Sequence, residues 1–136
     1  MADTPPGFIA ADVTGRRVQN WITSLHGMVF TARADGSHAP LAPAFLRRML
    51  HSLHEQVEFL CANLTPKRNH RTLELLAIFI AGVVFPEFRR AAHWRAFALE
   101  QFVANLASDL LPDGVHCELS TDYHHLVLKN ALNFRR

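Results

Sequence analysis

The feature that most restricts how this chain can fold is a run of eleven residues, Leu75 to Phe85, in which every position except Gly82 is apolar. A helix that crosses a bilayer needs about 20 such residues, so this run is too short to span a membrane. It is typical of a helix that is buried on nearly all sides. A chain of 136 residues can form one domain around such a helix, and we expect a single domain over residues 1–136.

Apolar residues recur with helical spacing on both sides of this run, and no segment of useful length alternates as a strand does. We therefore predict an all-α fold, with an irregular N-terminus over residues 1–11 and a loop over 31–43. Asn69 is a good N-cap for the buried helix. The other predicted helices run from Asp12 or Thr14 to Gly27, from about Pro43 to Leu64, from Phe88 to Leu111, and onward from a cap at Ser120.

Charge is unevenly distributed, although the formal net charge is only +2. Residues 66–95 contain six basic and two acidic side chains, whereas residues 96–122 contain five acidic and no basic ones. This pattern indicates a local cationic patch. The basic residues do not lie on one helix face with interleaved aromatics, so we expect no nucleic-acid partner.

Nine histidines raise the question of a metal site. His51 and His54 lie three residues apart, and His124 and His125 are adjacent, but no third ligand at a fixed offset accompanies either pair. We expect surface histidines with no metal and no cofactor. Two cysteines are too few for a disulfide framework, so we expect reduced thiols.

Two polar clusters stand at predicted helix starts. Backbone N–H groups and the positive end of the helix dipole favour an anion at such places. Each cluster has a simpler interpretation, because the first can be a basic helix-start turn and the second a β-turn followed by an amphipathic helix. The clusters are Lys67-Arg68-Asn69-His70-Arg71 and the polar residues from Asp113 through Glu118 and Tyr123 to His125.

Short motifs in a fixed order connect the two clusters. They are Asn69-His70, Phe85-Pro86-Glu87-Phe88, Trp94, Leu111-Pro112-Asp113-Gly114-Val115-His116, Glu118, Ser120 and Tyr123-His124. Together they resemble the N-terminal part of the heparinase II/III-type polysaccharide lyases, and the resemblance covers about residues 12–134. It implies inner and outer helical layers of an incomplete α/α toroid.

The resemblance also implies β-elimination on a uronic-acid glycan. Asn69, His70 and Tyr123 would then be catalytic, with Asn69 neutralising the sugar carboxylate and Tyr123 acting as base, acid or both. Asn69 and Tyr123 would have to meet at a shared hollow. The residues expected to bind the acidic polysaccharide are Lys67, Arg68, Arg71, His116, Glu118 and His124.

The family's site is completed by later helices and a C-terminal β-sandwich, which have no counterpart in this chain. The alternative is therefore a non-catalytic module that binds acidic glycans or self-associates through uncovered helix faces as a homo-oligomer. No secretory signal is visible at the start, so we expect a cytoplasmic location, or a periplasmic one if a longer parent is exported.

Overall fold

The computed structural model describes residues 10–30 and 41–134. These residues form five helices and no strand, which confirms the all-α prediction; an isolated bridge joins Leu110 and His116. Most of the predicted irregular N-terminus and residues 31–40 of the predicted loop lie outside the described residues. The helices are α1 (Ala11–Phe30), α2 (Pro43–Ala62), α3 (Arg68–Val84), α4 (Ala91–Asp109) and α5 (Thr121–Asn133).

Helix α3 is the centre of the molecule, because it packs against each of the other four helices. Its apolar run supplies Leu75, Ala77 and Ile78, which are completely buried. The run departs from the prediction in its last turn, where Val83 and Val84 are exposed, and Phe79 and Ile80 are only partly buried. The side chains that cover α3 come from the other helices and include Val18, Ile22, Leu53, Val57, Leu60, Trp94, Ala98 and Phe102.

Two glycines let neighbouring helices approach α3 closely. A Cβ atom on Gly15 of α1 would lie 3.2 Å from the Cα atom of Glu74, and one on Gly82 would lie 2.7 Å from the carbonyl oxygen of Ala91. Both distances are shorter than ordinary carbon contacts, so a larger residue would push the helices apart. The spacing of α1 and α4 from α3 therefore depends on these two positions.

Several predicted helix ends are wrong. Gly27 does not end α1, because a glycine stops a helix when it takes the left-handed conformation, and Gly27 remains inside α1 up to Phe30. Helix α4 runs from Ala91 to Asp109 rather than from Phe88 to Leu111, because residues 86–90 form successive turns closed by bonds from Phe88 and Ala91 N–H groups to carbonyl oxygens. Pro43, by contrast, opens α2 as predicted.

The N-cap predictions also need correction. Lys67, not Asn69, occupies the N-cap position of α3, and its side chain makes no capping bond. Ser120 does occupy the N-cap position of α5, but its hydroxyl makes no capping bond either. No helix among the described residues is long and apolar enough to cross a membrane.

Candidate functional site

A cleft of about 520 Å³ opens where the N-termini of α3 and α5 meet the segment between α4 and α5. Its lining combines both polar clusters of the sequence and includes Asn69 and Tyr123, which are far apart along the chain. The structure therefore brings these two side chains to a shared hollow. The lining residues are Arg68, Asn69, His70, Cys117, Glu118 and Tyr123.

Asp109, the last residue of α4, joins the two clusters. Its carboxylate Oδ2 accepts the backbone N–H of Arg68 at 2.9 Å, and its backbone carbonyl accepts the N–H of Cys117 at 2.8 Å. Ser108 donates its hydroxyl to the other carboxylate oxygen. Asp109 is almost completely buried, so these bonds are shielded from water. One side chain thus fixes the start of α3 relative to the 116–118 segment.

The segment between α4 and α5 is a tight, internally bonded turn. The N–H of Gly114 donates to Leu111, the N–H of Leu111 donates to Val115, and the Asp113 carboxylate accepts the N–H of Val115. Gly114 has a φ of 82°, which glycine adopts without steric cost. The predicted turn chemistry of Pro112-Asp113-Gly114 therefore positions Cys117 and Glu118 at the cleft.

A strained backbone position lies at or just before the start of each helix that carries cleft residues. Arg68, immediately before Asn69, has a φ of 75°, and Leu119, immediately before Ser120, has a φ of 52°. A residue other than glycine is destabilised by about 1–2 kcal/mol in this left-handed region of positive φ. They are the only non-glycine residues with positive φ among the described residues. Such strain is concentrated at functional sites in folded proteins.

Asn69 is buried at the cleft with only 6% of its surface exposed. Its Oδ1 atom has no hydrogen-bond partner in the described part of the chain. Because a buried acceptor without a partner costs stability, Oδ1 of Asn69 is an atom that a hydrogen-bond donor on a bound ligand, such as a hydroxyl group, would satisfy. Asn69 does not serve as the cap, so its amide stays free for such a ligand.

The segment that contributes Glu118 to the cleft also contains His116. His116 is completely buried, and its Nδ1 atom accepts the backbone N–H of Glu118 at 3.3 Å. The proton of the neutral ring is therefore on Nε2, which lies 4.0 Å from the Asp109 carboxylate and has no closer partner. Glu118 carries one buried carboxylate oxygen without a partner. His116 supports the wall of the cleft, whereas Glu118 lines it.

His70 is half exposed at the edge of the cleft, and its Nδ1 atom lies 3.3 Å from the Asp12 carboxylate of α1. Glu74, one turn further along α3, is completely buried. Burial raises the pKa of the Glu74 carboxyl, the Asp12 charge raises it further, and hydrogen bonds from Thr65 and the charge of His70 act in the opposite direction.

Tyr123 projects from the first turn of α5 with 45% of its surface exposed. Tyr123 lines the same cleft as Asn69, His70 and Arg68. A phenol and a buried amide that line one cleft can contact two parts of one ligand. The arrangement suits a ligand with an anionic group near the α3 N-terminus and hydroxyl or ether oxygens near α5.

The family description "Heparinase II/III N-terminus" matches residues 15–136 of this sequence. The chain belongs to the heparinase II/III family. It is 35% identical over 82 residues to a heparin-sulfate lyase from Pedobacter heparinus, and 29% identical over 82 residues to one from Bacteroides stercoris. Each match covers 60% of this chain and 12% of the relative, so the chain spans about an eighth of the length of these lyases.

Solved structures of the family share the fold. A crystal structure of heparinase III superposes with a TM-score of 0.75 at 20% identity, covering 98% of this chain and 21% of that one. A heparan sulfate lyase mutant from Pedobacter heparinus gives 0.71 at 26% identity, covering 97% and 22%. The five helices are therefore part of the α/α toroid of this heparinase II/III family, as predicted.

Four of the residues expected to bind glycan do not line the cleft of this heparinase II/III chain. His116, the first of them, is completely buried. Lys67 is exposed next to the cleft at the N-cap of α3. Arg71 donates an N–H of one guanidinium nitrogen to the backbone carbonyl of Thr65. It donates an N–H of a second nitrogen to Oε1 of Gln101 at 2.6 Å. His124 faces a neighbouring hollow, between the 115–121 segment and His125.

Sequence reasoning missed Asp12 and Asp109 as parts of the site. Asp12 resembles an ordinary first-turn acid of α1, and Asp109 an ordinary polar residue at a helix end. Their contacts with His70 and Arg68 are long-range and leave no local pattern in the sequence. Metal-binding clusters of three or more histidine, cysteine or acidic side chains are absent from residues 10–30 and 41–134.

The two cysteines are free. Cys61 is half buried on α2, and burial, helped by the charge of Glu58, raises the pKa of its thiol to about 12. A thiol with that pKa is unreactive at neutral pH. Cys117 is exposed at the cleft.

Proposed function

We propose that this chain supplies one wall of a polysaccharide lyase site that acts on uronic-acid-containing anionic glycans by β-elimination. The observation that carries the proposal is the cleft lined by both Tyr123 and the buried Asn69, whose Oδ1 atom has no partner in the described part of the chain. The lyase activity of relatives in the same family supports it.

The obstacle in this reaction is the weak acidity of the C5 proton next to a carboxylate. A base removes that proton, and the electron pair of the broken C5–H bond forms the C4–C5 double bond. The C4–O bond then breaks, and an acid protonates the leaving oxygen. A neutral donor that binds the carboxylate stabilises the charge that develops there. Asn69 is suited to this role, because its amide can donate two N–H bonds without adding a charge.

The remaining roles follow from position around the cleft. Tyr123 serves as base, acid or both, and His70 assists or acts as base on one uronate epimer. Arg68 lines the cleft and attracts the polyanion, and Lys67 extends this positive surface. Glu118 accepts bonds from sugar hydroxyls. Arg71 and His116 support the residues around the cleft through hydrogen bonds. His124 can contact the glycan from the neighbouring hollow.

A direct test follows the ultraviolet absorbance of unsaturated uronate on a panel of acidic polysaccharides. The chain is compared with a version extended to the length of its lyase relatives. We expect signal from the extended version, and its loss in Tyr123→Phe with binding preserved. Turnover retained by Tyr123→Phe would remove that residue from the mechanism, and no signal from the extended version on any polysaccharide would refute the proposal.

Asn69 has a matched control on the same molecule. Asn69→Ala removes the buried amide of the cleft, whereas Asn20→Ala removes an exposed amide from α1. Removing one preorganised donor to a developing charge costs about 10²–10³-fold in kcat. We expect that loss for Asn69→Ala and unchanged kcat for Asn20→Ala, both measured in the extended version. Equal effects of the two changes would contradict the role of Asn69.

A second candidate function is a non-catalytic module that binds acidic glycans or associates with itself. Apolar residues on one side of α4 recur at alternating intervals of four and three residues, as they do along a helix that pairs with another helix. They are largely exposed, with Leu99 at 48% and Val103 at 59%. An exposed apolar stripe of this kind favours self-association. The residues of this α4 stripe are Ala92, Ala96, Leu99, Val103, Leu106 and Leu110.

Sedimentation of the isolated chain at tens of micromolar tests this candidate. It predicts a dimer or larger species that the double change Leu99→Gln and Val103→Gln converts to monomer. The matched change His93→Gln and Ala104→Gln, on a different side of α4, should leave the species unchanged. A monomeric wild-type chain would refute self-association. Glycan binding without any product in the extended version would favour the binding module over the lyase.

A further inference from the structure

The contact between Asp12 and His70 joins α1 to the edge of the cleft. The Asp12 carboxylate Oδ2 lies 3.3 Å from His70 Nδ1, and the two side chains are 31% and 50% exposed. Asp12 is in the first turn of α1, where the helix dipole stabilises a negative charge. A carboxylate can only accept a hydrogen bond, so this short distance favours a proton on Nδ1 of His70 over a lone pair there.

The packing of α1 on α3 explains why this contact forms. Gly15 lies one turn after Asp12, and Glu74 lies one turn after His70. The close approach at Gly15, where a Cβ would be 3.2 Å from the Glu74 Cα atom, brings the preceding turns of the two helices together. On the other side of that contact, the Gln19 side chain donates to the backbone carbonyl of Leu73 at 3.0 Å, which fixes the register of α1.

The other acid in this region does not compete for His70. Glu74 accepts the Thr65 backbone N–H at 2.7 Å through one oxygen and the Thr65 hydroxyl at 2.5 Å through the other. Both of its oxygens are therefore engaged. Among the described residues, Asp12 is the acid that lies within 4 Å of the imidazole, although Glu118 lines the same cleft.

We propose that Asp12 is a positioning residue that holds His70 in the tautomer protonated on Nδ1, so that Nε2 is an unprotonated acceptor available to a ligand in the cleft. Which ring nitrogen carries the proton is set by the hydrogen bond that the other makes. An unprotonated nitrogen at the cleft can take a proton or accept a bond from a sugar hydroxyl. This use of Nε2 rests on the proposed lyase function, whereas the tautomer does not.

The tautomer can be measured directly in the chain itself. Long-range proton–nitrogen correlation spectra of the ¹⁵N-labelled chain at pH 8 distinguish the protonated from the unprotonated ring nitrogen of each histidine. Neutral histidine in water prefers the proton on Nε2, so we expect His70 to show the opposite preference. We expect Asp12→Ala to return it to the Nε2-protonated form, and Asp12→Asn, which keeps a neutral acceptor, to give an intermediate result.

The matched control is Glu55→Gln, which alters a similar exposed contact, between His51 and Glu55 within α2. It should leave the His70 signals unchanged. Circular dichroism and thermal melting identify any variant that fails to fold. Gly15→Ala provides a second, independent perturbation, because it moves α1 away from α3 without altering either partner, and we expect it to shift His70 in the same direction as Asp12→Ala.

Failure of this inference is distinct from failure of the lyase proposal. An Nε2-protonated His70 in the wild-type chain, or a tautomer unchanged in Asp12→Ala, would overturn the positioning role whatever the activity. If the extended version is a lyase, Asp12→Ala should lower kcat by about tenfold or more with little change in KM. A lyase whose kcat is unaffected by a confirmed tautomer change would show that His70 Nε2 takes no part in turnover.

Discussion

Glu74 shows how a single residue can tie the site to the stability of the fold. Its carboxyl is completely buried where α1 crosses α3, and its two oxygens accept bonds from Thr65. The bonds reduce the cost of burying a charge but do not cancel it, since the pKa of Glu74 remains raised, mainly by burial.

The raised pKa predicts the sign of a pH effect on stability. An acid with a higher pKa in the folded state binds its proton more tightly there, so its contribution to stability grows as the pH falls through the folded pKa towards the ordinary value of 4.5. Above the folded pKa the buried charge is a cost. Glu74→Gln is neutral and can keep both Thr65 bonds, because the Thr65 hydroxyl can accept from its amide.

We therefore expect Glu74→Gln to raise the free energy of unfolding relative to wild type by more at pH 8 than at pH 5. Urea titrations at the two pH values measure the difference. Glu87→Gln, on an exposed residue, is the control and should show no pH-dependent gain. If the free energies of unfolding of Glu74→Gln and wild type differ by the same amount at both pH values, the pKa of Glu74 is not raised in the folded state.

At the scale of helices, two helical glycines differ in whether a neighbouring helix packs against them. Gly82 in α3 is in contact range of α4, since a Cβ there would lie 2.7 Å from the Ala91 carbonyl and 2.9 Å from the Arg95 side chain. Arg95 also donates to the carbonyl of Gly82. Gly27 in α1 is helical but has no atom within 4 Å of the Cβ position. The same substitution should therefore have opposite effects at the two sites.

We expect Gly82→Ala to lower the free energy of unfolding by about 1–3 kcal/mol, because α4 must move away from α3. Gly27→Ala should raise it by roughly 0.5–1 kcal/mol, because alanine favours the helix and meets no neighbour. Chemical denaturation of both variants against wild type gives the comparison. Equal effects, or a stabilised Gly82→Ala, would contradict the close approach of α4.

The helices show which features a sequence can predict. The all-α class and the central helix were predictable, because the apolar run and the helical spacing are local patterns. The cap of α3 was not, because the acceptor of the Arg68 N–H is Asp109, 41 positions away in sequence. The end of α1 was wrong because a glycine ends a helix only when it takes a left-handed conformation, and the sequence does not show that Gly27 stays helical.

For the whole molecule, the important link is the one between the two polar clusters. Asn69 and Tyr123 were predicted to meet, and the resemblance to the family was the basis of that prediction. The structure supplies the physical means through Asp109, which bonds the start of α3 with its side chain and the 116–118 segment with its backbone. The shape of the cleft therefore depends on the hydrogen bonds of the buried Asp109.

Asp109→Ala tests the connection. It leaves the Arg68 N–H, at a strained backbone position, without its acceptor and removes the partner nearest to the buried His116 Nε2 atom. Leaving a buried donor unsatisfied costs about 1–3 kcal/mol, and we expect a loss in that range. Asp113→Ala removes an exposed carboxylate bond within the same turn and should cost less than about 1 kcal/mol.

Stability alone does not prove that Asp109 shapes the cleft, so affinity for an acidic polysaccharide is measured at a temperature where all variants are folded. Asp109→Ala should bind more weakly than wild type although it removes a negative charge, which on electrostatic grounds alone would strengthen binding to a polyanion. Asp113→Ala, which loses the same charge outside the cleft, should bind at least as well as wild type. Stronger binding by both variants would show that charge, and not the position of Asn69 in the cleft, governs recognition.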